Sequence, residues 1–263
     1  LFHYVSKNVP AYKKFLNKFK INPTKIRNIK KFAELPTIDK NSYLRKYRYN
    51  DLFREGSLVE STTLSSTSGS TGTPFYFPRG EYQDWQYAYI AEQFLKSQFD
   101  IGKKSTLGIV CFALGIWIGG IFTYKNMNKV ASRGYRLTLA PTGADQASIL
   151  RTLHELGKYY DQVILMGYPP FLKDVIDSAK TSGINLKNYN IKLIMATEGF
   201  SEKFREYLIK NAYIRDSLRD TLNIYGSVEL GTMAHETPIS VLIRKLAVNN
   251  KKIFKTHPQH GFI

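Results

Sequence analysis

From Ser105 onward, short apolar runs with strand-like patterning alternate with longer runs carrying helical periodicity, and this alternation restricts the fold more than any other feature of the chain. The strand patterns fall at residues 106–112, 135–140, 162–166, 191–196 and 221–225, and the helix patterns at 116–130, 144–160, 171–181 and 201–217. Strands separated by helices pair through crossovers, so they run parallel. The expected fold class is α/β, a layered, parallel-rich sheet with flanking helices. Ligands of such sheets collect beyond the carboxyl ends of the strands. That edge would carry Gly167-Tyr168-Pro169, Thr197-Glu198-Gly199 and Gly226-Ser227-Val228-Glu229. The longest apolar run, residues 107–122, contains Gly108, Gly115, Gly119 and Gly120. It is shorter than the roughly 20 residues a spanning helix needs, so it is expected to be a buried strand, a turn and the start of a helix. No membrane span is expected.

Ahead of this region lies Ser65-Ser66-Thr67-Ser68-Gly69-Ser70-Thr71-Gly72-Thr73-Pro74, between an alternating segment at 59–64 and an apolar one at 75–77. The arrangement predicts two strands joined hairpin-fashion, with glycines turning the backbone and hydroxyls and amides presented to a ligand. Phosphate suits such a loop. The Walker spacing is absent, since no lysine follows Gly72. Composition alone also fits a solvated Ser/Thr/Gly linker.

The segment Thr67-Ser-Gly-Ser-Thr-Gly-Thr-Pro74 resembles the T-S-G-[ST]-T-G-x-P signature of adenylate-forming enzymes. The rest of the chain resembles the phenylacetate-CoA ligase branch, whose relatives include proteins of capsule or exopolysaccharide synthesis. Asn8-Val9-Pro10-Ala11-Tyr12 is similar to that branch's N-V-P-F-Y, and residues 34–40 to its L-P-x-x-x-K segment. Ala196-Thr197-Glu198-Gly199 stands where the family has G-A-E-P, and Tyr225-Gly226-Ser227-Val228-Glu229 where it has Y-G-x-T-E. Gly199 thus replaces a proline and Val228 a threonine.

The resemblance implies an ATP-dependent acid–thiol ligase that converts a carboxylic acid to an acyl-adenylate and passes it to an acceptor, with coenzyme A the expected co-substrate. It implies that Ser68, Gly69, Ser70, Thr71, Gly72 and Thr73 hold the β- and γ-phosphates of ATP, and that Glu229 coordinates Mg²⁺. Ala196, Thr197 and Glu198 would line the adenine site opposite Tyr225, Gly226 and Ser227. Phe112, Trp117, Gly119, Gly120, Tyr168 and Pro169 would form the acyl pocket, whose aromatic walls fit an aryl or other apolar acid. It divides the chain into a helical lead-in, 1–58, and an adenylation domain, 59–263. A ribose-binding aspartate, a hinge and a small domain with a catalytic lysine would follow beyond Ile263, so that residues 1–263 alone would not complete a ligase cycle. A noncatalytic nucleotide- or polyanion-binding module, or a related enzyme with an acceptor other than coenzyme A, is the alternative.

The formal net charge is +17, and residues 1–54 carry fourteen Lys and Arg against three Asp and Glu. Lys13, Lys14, Lys18 and Lys20 interleave with Phe15, Leu16 and Phe19, as on a solvated helix face. No specific nucleic-acid partner is therefore expected. Prolines 10, 23 and 36 are expected to punctuate short helices there. Residues 81–99 carry a helical stripe of Trp85, Tyr89, Phe94 and Leu95 expected to face the core. The single cysteine, Cys111, excludes an internal disulfide. His257 and His260 lack the spacing and companions of a metal pair. With no basic segment leading into an apolar core at Leu1, a signal peptide is not expected, and a cytoplasmic setting is. A homodimer is compatible with these features.

Overall fold

A computed structural model describes residues 1–59, 61–67, 73–248, 250 and 252. The chain divides into two compact units, Leu1–Thr62 and Thr63–Ile263. The first holds α1 (Phe2–Asn8), α2 (Pro10–Lys18) and α3 (Ile29–Ala33), joined by turns. Pro10 occupies the first turn of α2, where its missing N–H costs nothing. Ala11, Phe15 and Leu16 of α2 pack with Tyr43 in a small core, while Lys13, Lys14 and Lys18 face solvent and Lys14 pairs with Asp51 at 2.7 Å. The interleaved lysines thus occupy a solvated face. Phe19, expected on the apolar side, is instead 46% exposed, because α2 has already ended at Lys18.

In the second unit, β1 (Thr63–Ser66) and β2 (Tyr76–Arg79) form an antiparallel ribbon in the register Thr63↔Arg79 and Ser66↔Tyr76. The expected hairpin is present, although β1 starts at Thr63 rather than at residue 59. α4 (Glu81–Phe99) follows. A six-stranded sheet then builds in the order β4-β3-β5-β6-β7-β8, from β3 (Thr106–Val110), β4 (Leu137–Ala140), β5 (Gln162–Gly167), β6 (Ile191–Ala196), β7 (Thr221–Ser227) and β8 (Gly231–His235). All pairs are parallel except β7 with β8. The connecting helices are α5 (Ile118–Ala131), α6 (Gln146–Leu156), α7 (Pro169–Thr181) and α8 (Glu202–Asn211), with α9 (Pro238–Val248) after β8.

Alternate residues of the strands feed two cores, which makes three layers. Leu107, Ile109, Val163, Leu165, Leu193 and Met195 pack against α6, α7 and α8. Val110, Ile164, Met166, Ile194, Leu222 and Ile224 pack against α4 and α5. The run 107–122 is the strand, turn and helix start that its glycines and length imply.

Three expectations are corrected. Of the α4 stripe, Phe94 and Leu95 are buried, but Trp85 and Tyr89 are 53% and 51% exposed and stack on each other at 5.8 Å. Helix α8 stops at Asn211 rather than at 217, and Tyr213 then turns left-handed at φ 53° so that Ile214 reaches the core. Strand β3 ends at Val110; the Cys111 amide still donates to the Met166 carbonyl of β5 at 2.7 Å, and the turn toward α5 begins at Phe112.

Candidate functional site

The chain runs from β3 outward through α5 to β4 on one side, and from β5 through β6 to β7 on the other. Neighbouring strands β3 and β5 therefore flank a topological switch point, where doubly wound sheets open a crevice. A cavity of about 610 Å³ lies there. Its floor is Cys111 and Phe112 after β3, Tyr168 after β5, and Ala196 and Thr197 at the end of β6. One wall is the β7–β8 turn, with Gly226, Ser227, Val228, Gly231 and Thr232. The other comes from α4 and α5 through Tyr87, Phe122 and Thr123. Among the described residues, none of the lining side chains carries a formal charge.

The ribbon is tied to this crevice at its loop end. The Ser66 amide donates to the Ile116 carbonyl at 3.0 Å, and Ser66 bridges to Trp117 and lines the cavity. Beyond it the hairpin closes once more, with the Thr67 amide donating to the Phe75 carbonyl and the Phe75 amide donating to the Thr67 hydroxyl. The span 68–72 between these pinned ends lies outside the described residues. Thr73, also expected to bind phosphate, is exposed.

The structure brings together Phe112, Trp117, Gly119, Tyr168, Ala196, Thr197, Gly226 and Ser227 on one cavity wall or another. Besides Thr73, five described residues expected in the site stand off the lining. Gly120 packs into the backbone instead, since a Cβ there would sit 2.2 Å from the Ala113 carbonyl oxygen. Pro169 is buried in the first turn of α7. Tyr225 is 67% exposed, and Glu198 and Glu229 also face solvent.

Local chemistry follows from these placements. Thr197 has φ 79°, a conformation a β-branched residue adopts only when its surroundings enforce it. It turns the chain at the end of β6 so that Glu198 leaves the wall and meets Tyr168. The Glu198 charge, then burial, then a hydrogen bond to the Glu198 carboxylate hold the Tyr168 phenol above its ordinary value. Burial pushes the Tyr87 hydroxyl up to about 12, against a hydrogen bond with Thr123 that lowers it. The Cys111 thiol is likewise pushed up to about 12 by burial, so it stays protonated and unreactive at neutral pH.

Among the described residues no group of three or more His, Cys, Asp or Glu gathers as a metal cluster. His257 and His260 lie outside the described residues.

Sequence reasoning did not single out Arg79, Tyr87, Phe122 and Thr123. Tyr87, Phe122 and Thr123 sit on the apolar faces of helices, where core packing explains them equally well. For Arg79 a signal existed, namely a lone cation closing the short strand Tyr76–Arg79.

No protein-family model matches the chain, and no curated protein matches its sequence. Among solved structures it is similar to 2-hydroxyisobutyryl-CoA ligase in complex with 2-HIB-AMP and CoA in the thioesterification state. The identity is 16%, over 90% of this chain and 49% of that one, with a TM-score of 0.71. The same ligase in the postadenylation state with R3-HIB-AMP matches at 14% identity over 91% of this chain and 49% of that one, TM-score 0.68. Its open conformation with 2-HIB-AMP and CoA matches at 16% identity over 86% and 51%, TM-score 0.66. The fold is similar to that of an adenylate-forming acyl-CoA ligase. The chain spans about half the length of these solved chains. No helix among the described residues is long and apolar enough to cross a membrane.

Proposed function

We propose that the crevice is the acyl and nucleotide site of an ATP-dependent, AMP-forming acid–thiol ligase of the phenylacetate-CoA ligase type. The observation that carries this reading is the position and chemistry of the cavity. It opens at the switch point of β3 and β5, has no charged side chain among the described residues of its lining, and borders the Ser/Thr/Gly hairpin on a ligase-like fold.

In the proposed reaction a carboxylate oxygen attacks the α-phosphorus of ATP, the bond to the bridging oxygen breaks, and pyrophosphate leaves. A thiol sulfur, with coenzyme A the proposed donor, then attacks the acyl carbon, AMP leaves, and the thiol proton passes to solvent. Both reactants of the first step are anions, so donors and positive ends must be arranged before they meet. Residues 68–73 would supply backbone and hydroxyl donors to the β- and γ-phosphates, held at their base by the Thr67–Phe75 closure. Glu229 would be the carboxylate on Mg²⁺, which when bound neutralises phosphate charge. Ala196, Thr197 and Glu198 on one side and Tyr225, Gly226 and Ser227 on the other would flank the adenine. Phe112, Trp117, Gly119 and Tyr168, joined by Tyr87 and Phe122, would enclose an apolar or aryl acid. Burying a second charge in such walls would cost several kcal/mol (order of magnitude), so a monocarboxylate is favoured over a dicarboxylate. Gly120 and Pro169 shape the wall from behind.

The test is carboxylate-dependent exchange of pyrophosphate into ATP by the full-length protein, run over aryl, aliphatic and dicarboxylic acids. Exchange with one or more apolar acids supports the reading. ATP binding without exchange for any acid favours a noncatalytic nucleotide-binding module.

A further inference from the structure

Arg79 is a buried cation that the proposed reaction leaves unexplained. It closes β2 at 3% exposure. Its guanidinium donates to the Val228 carbonyl and lies 4.7 Å from the centroid of the Phe122 ring. One terminal nitrogen is 3.5 Å from where a Cβ on Gly231 would stand. Its side chain therefore bonds the β7–β8 turn at Val228, just before Glu229, and lies near Gly231, two residues after it. Removing a guanidinium from water is expensive unless charge and hydrogen bonds compensate. Burial lowers the Arg79 pKa, while the charges of Asp84 and Glu229 raise it again. Asp84, itself 1% exposed, pairs with Lys125 at 2.5 Å.

We propose that Arg79 is a positioning residue that clamps the β7–β8 turn to β2, and so fixes where Glu229 stands. This rests on the reading of Glu229 given above. A planar guanidinium can bond a carbonyl at its edge while its face lies on an aromatic ring, whereas an ammonium offers only a point charge. Misplacing a reacting group by an ångström is costly in rate, and changing the partner that orients a metal ligand typically costs about 10–100-fold in metal affinity.

The experiment compares full-length parent, Arg79→Met and Arg79→Lys by Mg²⁺ titration of pyrophosphate–ATP exchange at saturating ATP and acid. Alongside it runs hydrogen exchange by mass spectrometry over residues 226–232. Arg79→Met should raise the half-saturating Mg²⁺ concentration by about tenfold while leaving KM for the acid unchanged, and should speed hydrogen exchange in 226–232 but not in β3 or β5. Arg79→Lys should fall between the two. A purely structural role would lower stability and active fraction without moving the Mg²⁺ requirement, and that result in an active parent overturns this proposal alone. Unaltered hydrogen exchange in 226–232 overturns it whether or not the parent is active. A parent without exchange activity overturns the reading beneath it and this proposal with it. Should Arg79→Met fail to fold, Arg79→Lys decides, and a Mg²⁺ requirement equal to the parent's overturns the clamp.

Discussion

Glu202 and Arg205, one turn apart at the start of α8, are joined by a 3.0 Å ion pair whose guanidinium is completely buried. The pair is half of a network. Arg205 also donates to the Thr221 hydroxyl at 2.9 Å and to Glu236 at 2.6 Å, and Arg244 bonds Glu202 at 2.9 Å and Glu236 at 3.1 Å. Both guanidinium groups lie near the Phe200 ring, 5.0 and 5.3 Å from its centroid. Two cations and two anions thus tie α8, β7, α9 and the end of β8 together behind the strand that leads to the candidate site. Breaking one partner leaves buried charge uncompensated. Arg205→Met should lower the unfolding free energy by about 3 kcal/mol, read from the denaturant midpoint. A loss below about 1 kcal/mol would show that Arg244 alone neutralises both carboxylates.

Thr197 carries backbone strain at the cavity floor, with φ 79° on a β-branched residue. Thr197→Gly removes a steric cost of about 1–3 kcal/mol and adds back some unfolded-chain entropy. Net stabilisation of about 1 kcal/mol is expected, measured by thermal or denaturant unfolding. If Thr197 also supports the nucleotide site, the same variant should bind ATP more weakly. A Thr197→Gly protein less stable than its parent would mean that the threonine side chain makes contacts worth more than the strain.

The layered fold was legible because each buried strand of the parallel sheet is a nearly unbroken apolar run, and each flanking helix keeps its own period. Strand β8 and helix α9 were not. Gly231-Thr232-Met233-Ala234-His235 has neither strict alternation nor a core-facing run, since β8 lies at the sheet edge and only its first residue is buried. The candidate site was legible where it follows strand ends, as with Tyr168, Thr197 and Ser227. It was illegible where helices supply the wall, because Tyr87 and Phe122 obey the same periodicity as true core residues. Arg79 and the charged network were hidden for a different reason. Their partners lie far away in sequence, with Val228 149 residues from Arg79 and Glu236 31 residues from Arg205.

Gly119 and Gly120 are neighbours in sequence whose substitutions should fail differently. A Cβ at Gly120 would meet backbone, 2.2 Å from the Ala113 oxygen and 2.9 Å from the Leu114 Cα, so the turn after β3 must move. Gly120→Ala should cost about 1–3 kcal/mol of stability. At Gly119 the nearest atoms belong to the Phe112 ring, 3.1 Å away at closest, and a small rotation of that ring accommodates the methyl group. Gly119→Ala should remain near parental stability and shift preference toward smaller acids in the exchange assay. Equal loss of stability at both positions would show that the Phe112 ring cannot yield.

Asp161 supplies an acid-sensitive tie between β3 and β5. Its carboxylate accepts from the Ser105 amide at 2.7 Å and from the Ser105 hydroxyl at 2.9 Å, and these bonds hold its pKa below the ordinary 3.8. The depressed value means the folded state binds this proton less readily than the unfolded chain. The contribution is therefore fully present above pH 3.8 and is lost as pH falls through the folded-state value. Asp161→Asn should lower Tm at neutral pH, and the gap to the parent should close on acidification below 3.8. A gap that stays constant across that range would assign the effect to packing and not to charge.

Glu229 tests the chemistry most directly, because it is exposed at the β7–β8 turn and is not needed to fill a core. Glu229→Gln keeps size and hydrogen-bonding capacity while removing the charge that a hard cation requires. The variant should keep the fold with a Tm at or slightly below the parent's, since its carboxylate fills no core while its charge helps offset the buried Arg79 guanidinium. Pyrophosphate–ATP exchange by the full-length protein should fall by about 100-fold, with part of the loss recovered at high Mg²⁺ concentration, because the ion can still be held by phosphate oxygens. The neighbouring Arg79 should then feel less negative charge, so the Arg79→Met change made in the Glu229→Gln background should have a smaller effect on the Mg²⁺ requirement than it has alone. Equal exchange by parent and Glu229→Gln would remove this carboxylate from the site and leave the crevice to bind nucleotide through other groups.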